Sequence, residues 1–228
     1  MPGETLNQLI RVTSSTFPKE EIAEILHKPG IYFRHGHFLY PVNDGRKVGN
    51  HLDSLFIIEP IVVDNHLVEF IVSDINRWIE KENIDFDVIF APAQPAVQTI
   101  VSKLSDKTNK RSAFWEYYST GWFGSKLVSG EIQPGDKVLV FNGVSQQGRC
   151  VGERLPSFVQ DLGATTVAAA IFAKGTAPGV QDAETRYGNK LYSAIQVDIA
   201  VFSPDACMLC SQPNPPALIP WTDLRDKK

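Results

Sequence analysis

Residues 138–150 read VLVFNGVSQQGRC, a strand-like run followed by a turn and the start of a helix. The run KVLVF at 137–141 is apolar after Lys137, as in a buried parallel strand. Beyond the turn, apolar residues recur at helical spacing through Val151, Leu155, Phe158, Val159 and Leu162. Pro156 predicts a kink or a late start in that helix.

The turn has the features of a phosphate-binding loop. A helix start presents unpaired backbone N–H groups and the positive end of the helix dipole, and a phosphate satisfies both. Gly143 and Gly148 permit the close backbone approach that such a loop needs. Glycines are equally common as simple turn residues, so spacing alone leaves both interpretations open.

Three further apolar runs predict strands: DVIFA at 87–91, TVAAAIFA at 166–173 and IQVDIAVF at 195–202. Helix-like stretches accompany the strands, among them 95–104 and 151–162. Alternating strands and helices indicate a parallel sheet with helices on both faces and a ligand site beyond the carboxyl ends of the strands. We therefore expect the site at residues 91–95 and 142–150.

The first 82 residues predict two helices separated by short strands. One helix begins near Pro18 and ends at Pro29-Gly30. The segments IYFRHGHFLYPVNDGRKVGNHL and FIIEPIVV are broken by turn residues and are typical of short strands and hairpins. The second helix follows Asp64, a predicted N-cap, and carries one apolar stripe to Glu82.

Composition excludes several classes of protein. The 228 residues carry a formal net charge of -4 and no run rich in Lys or Arg, which argues against nucleic acid as a partner. No window approaches about 18 uninterrupted apolar residues, and the first residues lack the order of a signal peptide, so we expect no membrane partner and a cytoplasmic location. Three cysteines do not make a disulfide framework.

Taken in chain order, these segments resemble type I phosphoribosyltransferases, in particular the orotate-type branch. VLVFNGVSQQGRC after QPGD resembles the family's diphosphoribosyl-pyrophosphate motif, DVIFAPAQPAVQTIVSKL its pyrophosphate loop, and GHFLYPVNDGRKVGNHLD its hood. KRSAFWEYY resembles the next strand of the family. DACMLCSQP resembles a Cys-x-x-Cys tail that some relatives carry. The resemblance spans roughly residues 17–213.

The resemblance implies a Rossmann-type parallel α/β sheet with flanking helices and a small hood. We expect an N-terminal helix and hood at 1–63, an α/β core at 64–204 and a C-terminal arm at 205–228, all in one compact domain. It also implies a dimer, either a homodimer or a heterodimer with a paralogue.

The resemblance also assigns residues to roles. The phosphate and ribose group would lie on Asn142, Gly143, Val144, Ser145, Gln146, Gln147, Gly148, Arg149 and Cys150. The pyrophosphate loop would be Ala93, Gln94 and Pro95, with the Gln94-Pro95 bond cis or tightly turned. The hood residues facing the acceptor would be Arg34, His35 and His37. Arg149 and Lys126, the one cation of residues 117–133, are the candidate catalytic residues.

The motif departs from the family at the positions that bind ribose and metal. Two acidic residues of the family are replaced by Asn142 and Gly143, which carry no charge, so Mg²⁺ is a weakly supported cofactor here. Gln146 and Gln147 stand in place of threonines. Arg149 introduces a fixed positive fork that could replace the charge of a metal or fill the phosphate pocket.

Cys207 and Cys210 have the spacing of a zinc half-site. Two more ligands would be needed, and Cys150, His35, His37 or a dimer mate could supply them; two free thiols are the alternative. His35 and His37 could share one strand face and bind a metal or an anion, or they could be solvent-facing residues of a hairpin. His51 shows no companion pattern and receives no role.

Three hypotheses about function follow. The first is a divergent pentosyl transferase of nucleoside, nucleotide or specialised metabolism that binds a phosphate-bearing ribose or nucleotide. The second is a catalytically silent homologue that acts as a ligand sensor or as a partner subunit. The third is a scaffold with other chemistry at Ser145 or Cys150, whose pKa an electropositive loop would lower.

Overall fold

The computed structural model describes residues 10–12, 16, 19–40, 49–118 and 121–225. The predicted helix start at Pro18 and the predicted hairpin turn at residues 43–45 lie outside these ranges. The strands are β1 (Ile10–Val12), β2 (Tyr32–Phe33), β3 (Phe38–Leu39), β4 (His51–Leu52), β5 (Leu55–Phe56), β6 (Val88–Pro92), β7 (Arg111–Tyr117), β8 (Phe123–Ser129), β9 (Lys137–Ser145), β10 (Thr165–Lys174), β11 (Leu191–Val197), β12 (Val201–Phe202) and β13 (Ile219–Pro220). The α-helices are α1 (Lys19–His27), α2 (Asn65–Lys81), α3 (Pro95–Thr108), α4 (Leu155–Asp161), α5 (Pro178–Tyr187) and α6 (Trp221–Arg225).

The main sheet has the strand order β1-β11-β10-β9-β6-β7-β8. Strands β7, β6, β9, β10 and β11 run parallel to one another, while β8 and β1 pair antiparallel at the two edges. Side chains alternate between two apolar clusters, so that Ile89 and Leu139 face one and Val88 and Val138 face the other. The predicted parallel α/β sheet is therefore confirmed.

Helices cover both faces of this sheet. The first cluster is formed with α1, α2, α3 and the segment around β2 to β5, and the second is formed with α4 and α5. The predicted N-cap of α2 is confirmed, because the Asp64 carboxylate accepts from the backbone N–H groups of His66 and Leu67. None of the helices in the described ranges combines the length and the apolar character that crossing a bilayer requires.

The helix after β9 begins irregularly. Residues Cys150–Arg154 form a wide π-helical turn, and α4 starts only at Leu155, with Pro156 in its first turn. Pro156 has no N–H to donate to the carbonyl of Gly152, and the Arg186 guanidinium donates to that carbonyl instead. The predicted kink or late start is confirmed.

The last predicted strand, 195–202, is wrong in its bounds. The structure has β11 at Leu191–Val197 and a separate β12 at Val201–Phe202. The break has a local cause, because the Asp53 carboxylate accepts the Ala200 backbone N–H at 3.0 Å and draws the chain out of the main sheet.

A hood of very short strands lies beside the main sheet. One part pairs β2 with β5, and the other has the order β12-β4-β3-β13. The predicted strand FIIEPIVV is only partly confirmed, since residues Ile61–Val63 form a 3-10 turn after Pro60. Residues 211–218 are exposed, residues 211–214 form a turn and bends, and Ile219–Pro220 pair with β3, so the predicted extended surface arm is present only from residue 215 onward.

Candidate functional site

The site lies where the chain reverses its direction of winding across the sheet. After β6 the chain proceeds to β7 on one side, and after β9 it proceeds to β10 on the other, so β6 and β9 flank the switch point. A cavity of about 550 Å³ including its open mouth lies at their carboxyl ends. Its lining includes Tyr40, Glu59, Gln94, Tyr117, Phe123, Asn142, Gln146, Cys150 and Trp221.

A second cavity adjoins the first and lies over residues 144–150, which we call the cradle. It is lined by Tyr40, Val144, Ser145, Gln146, Gln147, Arg149, Cys150 and Arg154. Because the two cavities share Tyr40, Val144, Gln146 and Cys150, they form one continuous site. The predicted location at the carboxyl end of the 137–141 strand agrees with this geometry.

Two side chains of the cradle are buried without hydrogen-bond partners. Ser145 is 2% exposed and Gln146 is 5% exposed. Within the described residues, the Ser145 hydroxyl and both amide atoms of Gln146 have no hydrogen-bond partner. A buried polar group without a partner is costly, and native structures rarely contain one unless it serves a ligand or a water.

The backbone of the cradle is held by close packing against the start of α5. Gly148 has a φ of +76°, and a Cβ there would lie 2.1 Å from the carbonyl carbon and oxygen of Gly179. A Cβ on Gly175 would lie 2.3 Å from the carbonyl oxygen of Gln146. These approaches admit only glycine, so the loop has a fixed shape before any ligand arrives.

The two positions of the family's acidic pair face different surroundings. Asn142 is buried, and its Nδ2 donates to the carbonyl of Val144 at 3.0 Å. A Cβ on Gly143 would lie 2.8 Å from Cδ1 of Ile58 and 3.2 Å from Cγ2 of Val97. A side chain at Gly143 would therefore require the end of the Ile58 side chain to shift.

Two arginines, one in the cradle and one in the turn that follows it, bring positive charge to this cavity. Arg149 and Arg154 both line the cavity. The Nε of Arg149 lies 3.4 Å from Oε2 of Glu153 on the exposed side of the turn. The cradle thus combines buried neutral donors with two partly exposed guanidinium groups.

The expected lowering of the Cys150 pKa is wrong. Burial raises the pKa of this thiol to about 11, and the opposing effects of Arg154, a hydrogen bond with Asn142 and Arg149 are smaller. The thiol is therefore protonated at neutral pH, which makes it a poor nucleophile. Hydrolytic or thiol chemistry at Cys150 loses its main support.

The pyrophosphate-loop segment is extended at the predicted turn. None of the peptide bonds in the described ranges is cis, and Gln94 is extended with Pro95 opening α3. The cis bond is a wrong prediction, because Pro95 serves as a helix start and the residue before a proline prefers extended backbone. The tight turn lies one residue earlier, where the Gln94 N–H donates to the Pro92 carbonyl at 2.8 Å.

Aromatic side chains line the mouth of the first cavity. Tyr40 and Trp221 lie with ring centroids 6.3 Å apart, and Tyr117 and Phe123 meet edge to face at 5.2 Å. Burial raises the pKa of Tyr40, with Cys150 and Glu59 adding to the effect, so its hydroxyl stays a donor over the working pH range. On the floor, Nε2 of Gln94 donates to Oε1 of Glu59 at 2.8 Å.

Two curated relatives of this chain are orotate phosphoribosyltransferases. The one from Pyrococcus abyssi is 26% identical over 179 residues, which cover 78% of this chain and 93% of the relative. The one from Caldicellulosiruptor bescii is 28% identical over 181 residues, which cover 79% of this chain and 86% of the relative. The chain is a distant relative of the orotate phosphoribosyltransferases. No protein-family model matches the sequence.

Crystal structures of orotate phosphoribosyltransferases share the fold. The structure from Aeropyrum pernix has a TM-score of 0.55 at 15% identity and covers 77% of this chain and 92% of its own. The structure from Mycobacterium tuberculosis in complex with inorganic phosphate has a TM-score of 0.54 at 17% identity, covering 76% and 92%. These likenesses confirm the phosphoribosyltransferase type of α/β sheet.

Several residues assigned by resemblance to these transferases lie away from the two cavities. Arg34 lies over the ring of Tyr32, and His35 is exposed in a bend with a φ of +55°. Neither lines the site, nor does His37, which is buried elsewhere in the hood. Lys126 is exposed on the edge strand β8 and does not line the site.

The hood reaches the site through residues that sequence reasoning missed. Tyr40 and Glu59 come from the hood and Trp221 from the end of the arm. A weak signal existed for Glu59, an acidic residue in the apolar run FIIEPIVV. No pattern pointed to Trp221, because it reaches the cavity only through the pairing of Ile219–Pro220 with β3.

Proposed function

We propose that this protein is a phosphoribosyltransferase-like protein that binds a phosphate-bearing ribose or a nucleotide, and that it is a divergent pentosyl transferase. The observation that carries the proposal is the pair of buried, unpartnered side chains Ser145 and Gln146 in the cradle. They offer a hydroxyl and an amide to a ligand at the switch point of the sheet, where this fold class binds its ligands.

The phosphate is proposed to lie in the cradle. The Ser145 hydroxyl and the Gln146 amide would donate to its oxygens, and Arg149 and Arg154 would supply charge-assisted contacts. The two guanidinium groups take the part that a bound cation would otherwise have. We therefore expect phosphate binding without a requirement for Mg²⁺.

The ribose and the base are proposed to lie in the first cavity. Asn142 and the hydrogen-bonded pair of Gln94 and Glu59 face the space beside the cradle, as groups that bind hydroxyls would. The rings of Tyr40 and Trp221 would stack on the base. In a pentosyl transfer, Arg149 and Arg154 would hold the 5-phosphate and so position C1 of the ribose, at which the base would replace the diphosphate.

Isothermal titration tests the binding proposal. The ligands are inorganic phosphate, ribose 5-phosphate, a set of nucleoside monophosphates and the ribose diphosphate, each with and without Mg²⁺. We expect binding of at least one ribose phosphate or nucleotide, weaker by about tenfold or more in Gln146→Leu and Arg149→Met. Lys126→Met is the matched control and should bind as the wild type does.

Two results would contradict this proposal. One is the absence of heat with all of these ligands at millimolar concentration. The other is an affinity that falls equally in Lys126→Met, Gln146→Leu and Arg149→Met, since Lys126 lies outside both cavities. Pairing of the chain as a homodimer, or as a heterodimer with a paralogue, stays a prediction.

A silent homologue that binds a nucleotide as a sensor or partner subunit is the second candidate. The observation in its favour is Gly143, which has no side chain and against which Ile58 packs, so that an added Cβ would lie 2.8 Å from Cδ1 of Ile58. Under this candidate, the ligand binds and no pentosyl transfer follows with any base offered. Transfer by the wild-type protein would exclude it.

Restoring the acidic pair separates a decayed site from a rebuilt one. Asn142→Asp with Gly143→Asp needs Ile58→Ala to make space, since Ile58 lies nearest to the added Cβ. Under the silent-homologue candidate, Mg²⁺-dependent binding of the ribose diphosphate should appear in the triple variant and be absent from Ile58→Ala alone. An unchanged binding profile would argue that the site serves a different ligand.

A further inference from the structure

A second group of polar side chains lies in the hood, outside the site described above. His37 and His51 approach each other with Nε2 and Nδ1 2.9 Å apart. Cys207 Sγ lies 3.5 Å from His37 Nε2, and Cys210 Sγ lies 3.6 Å from His37 Nε2 and 3.4 Å from His51 Nδ1. The four ligand atoms all lie within 4.8 Å of one another, and three of the four residues are buried.

These distances match a tetrahedral zinc site. Zinc binds thiolate sulfur at about 2.3 Å and imidazole nitrogen at about 2.0–2.1 Å, so sulfur and nitrogen ligands of one ion lie about 3.6 Å apart. Three of the four sulfur–nitrogen distances of the group are 3.4–3.6 Å. The two nitrogens, 2.9 Å apart, would have to separate by a few tenths of an ångström. Two thiols and two imidazoles are also the Cys₂His₂ donor set of structural zinc sites.

The orientation of His37 is fixed for metal binding. Its Nδ1 lies 3.0 Å from the carbonyl oxygen of Pro216, to which it can only donate. The proton is therefore on Nδ1, and the lone pair of Nε2 points at the other three ligand atoms. A backbone carbonyl on the far nitrogen is the usual outer-shell partner of a metal-binding histidine.

The position of the group explains why the hood would need a metal. The strands β3, β4, β12 and β13 are each two residues long, too short to be stable by backbone pairing alone. His37 precedes β3, His51 lies in β4, and the two cysteines follow β12. One ion would thus join three segments of the small sheet, as structural metals do in domains with small cores.

We propose that His37, His51, Cys207 and Cys210 bind one structural Zn²⁺ ion, which fastens the C-terminal arm to the hood. The arm then leads through Pro216 and Ile219 to Trp221, whose ring lies beside Tyr40 on the wall of the first cavity. The zinc site itself does not depend on the proposed function. Only its effect on ligand binding rests on that function.

Metal analysis of the full-length protein tests the proposal. The protein is purified under reducing conditions without metal-affinity resin or chelator, and zinc is measured by inductively coupled plasma mass spectrometry. We expect about one zinc per chain in the wild type. Cys207→Ser and His51→Asn should lose most of it, while the matched controls Cys150→Ser and His66→Asn should retain it.

Cobalt gives a second measurement that does not depend on a folded variant. Titration of Co²⁺ into the metal-free wild-type protein should produce thiolate-to-cobalt charge-transfer absorption and the strong visible bands of a tetrahedral site, saturating at one equivalent. Added Zn²⁺ should abolish both. Chelator treatment should also lower the melting temperature of the wild type, and Zn²⁺ should restore it.

Three outcomes would overturn the proposal. The first is protein without stoichiometric zinc that also gives no charge-transfer band with Co²⁺. The second is a disulfide between Cys207 and Cys210 in the protein as purified. The third is zinc retained fully in His37→Asn and His51→Asn, which would mean that the imidazoles are not ligands. If the cradle still binds its ligand after zinc is removed, the zinc proposal stands. Such a result would contradict only the idea that the ion affects ligand binding by holding Trp221 beside the first cavity.

Discussion

The cradle and the Cys-His group of the hood are both buried polar clusters, yet they differ in how their atoms are satisfied. In the cradle, Ser145 and Gln146 point polar atoms into a cavity where the described residues offer no partner. In the hood, His37, His51 and the two cysteines contact one another at hydrogen-bond or near-ligand distances. The first arrangement costs stability and suits a ligand that comes and goes, whereas the second suits a permanent occupant.

The two clusters also differ in how the chain builds them. The cradle is nearly contiguous, and its shape comes from backbone packing between Gly148 and Gly179. The hood group is assembled from residues 37, 51, 207 and 210, and its short strands provide little support. Substitutions that perturb packing should therefore disrupt the structure of the cradle most. Removal of the proposed zinc ion should disrupt the structure of the hood most.

The largest expected effect is that of Gly148→Ala. The change adds a methyl group 2.1 Å from the backbone of Gly179 and also places alanine at a φ of +76°. We expect the free energy of unfolding to fall by about 2 to 5 kcal/mol, from the left-handed backbone and the overpacking together. Urea denaturation of the soluble protein measures it.

Gly135→Ala is the matched control for this change. Gly135 has a φ of +89°, but a Cβ there would meet nothing within 4 Å. It should cost only the backbone strain of about 1 to 2 kcal/mol. Equal losses for the two variants would mean that the close approach of Gly148 to α5 does not hold the cradle in place.

The sequence predicted the cradle well because its information is local. The apolar run 137–141, the glycines and the helical spacing after residue 150 are consecutive, and the alternation of strands and helices determines which end of the sheet binds the ligand. The roles of single residues within the cradle were harder to predict from the sequence. At Cys150, desolvation raises the pKa more than Arg154, Asn142 and Arg149 lower it, and this balance depends on three-dimensional packing that sequence patterns do not give.

Three of the four residues of the hood group were among the ligands proposed from the sequence, and the fourth was missed because the group is assembled from distant parts of the chain. The spacing of Cys207 and Cys210 indicated a half-site, and His37 was among the proposed ligands. His51 had no companion in the sequence, since it meets His37 only through the antiparallel pairing of β3 with β4. The register of this pairing brings together two residues that lie 14 positions apart in the sequence. Strands of two residues carry too short a pattern for that register to be predicted.

The next effect is the pH dependence that the Cys150 thiol of the cradle gives to stability. Burial raises the pKa of Cys150 from 9.0 to about 11, so between these values the unfolded chain releases the proton while the folded chain keeps it. The unfolded state then binds fewer protons, and stability falls as pH rises through this window, by up to about 2 to 3 kcal/mol.

The measurement is the difference in unfolding free energy between wild type and Cys150→Ser at about pH 8 and about pH 11. Other groups that titrate cancel in this difference. The wild type should lose stability relative to the variant as pH rises. A difference that stays constant with pH would show that the Cys150 thiol has an ordinary pKa in the folded protein.

The smallest expected change in stability is that of Ser145→Ala, which tests whether a buried hydroxyl without a hydrogen-bond partner costs stability. Ser145→Ala removes a buried hydroxyl that has no partner within the described residues, so the ligand-free protein should gain about 1 kcal/mol of stability. The same change should weaken phosphate or nucleotide binding by about tenfold, because the hydroxyl is proposed to donate to the ligand. Thermal unfolding without ligand and titration with ligand measure the two effects.

Ser193→Ala is the matched control, because Ser193 is a serine of β11 that is 1% exposed and its hydroxyl donates to the Ile195 carbonyl at 3.0 Å. Its removal should lower stability by about 1 kcal/mol and leave ligand affinity unchanged. Opposite signs for two buried serines would show that Ser145 is kept at a cost to stability, as a residue selected for binding would be. If both substitutions destabilise equally, the Ser145 hydroxyl has a partner in the free protein, and the cradle resembles the hood group more than we infer.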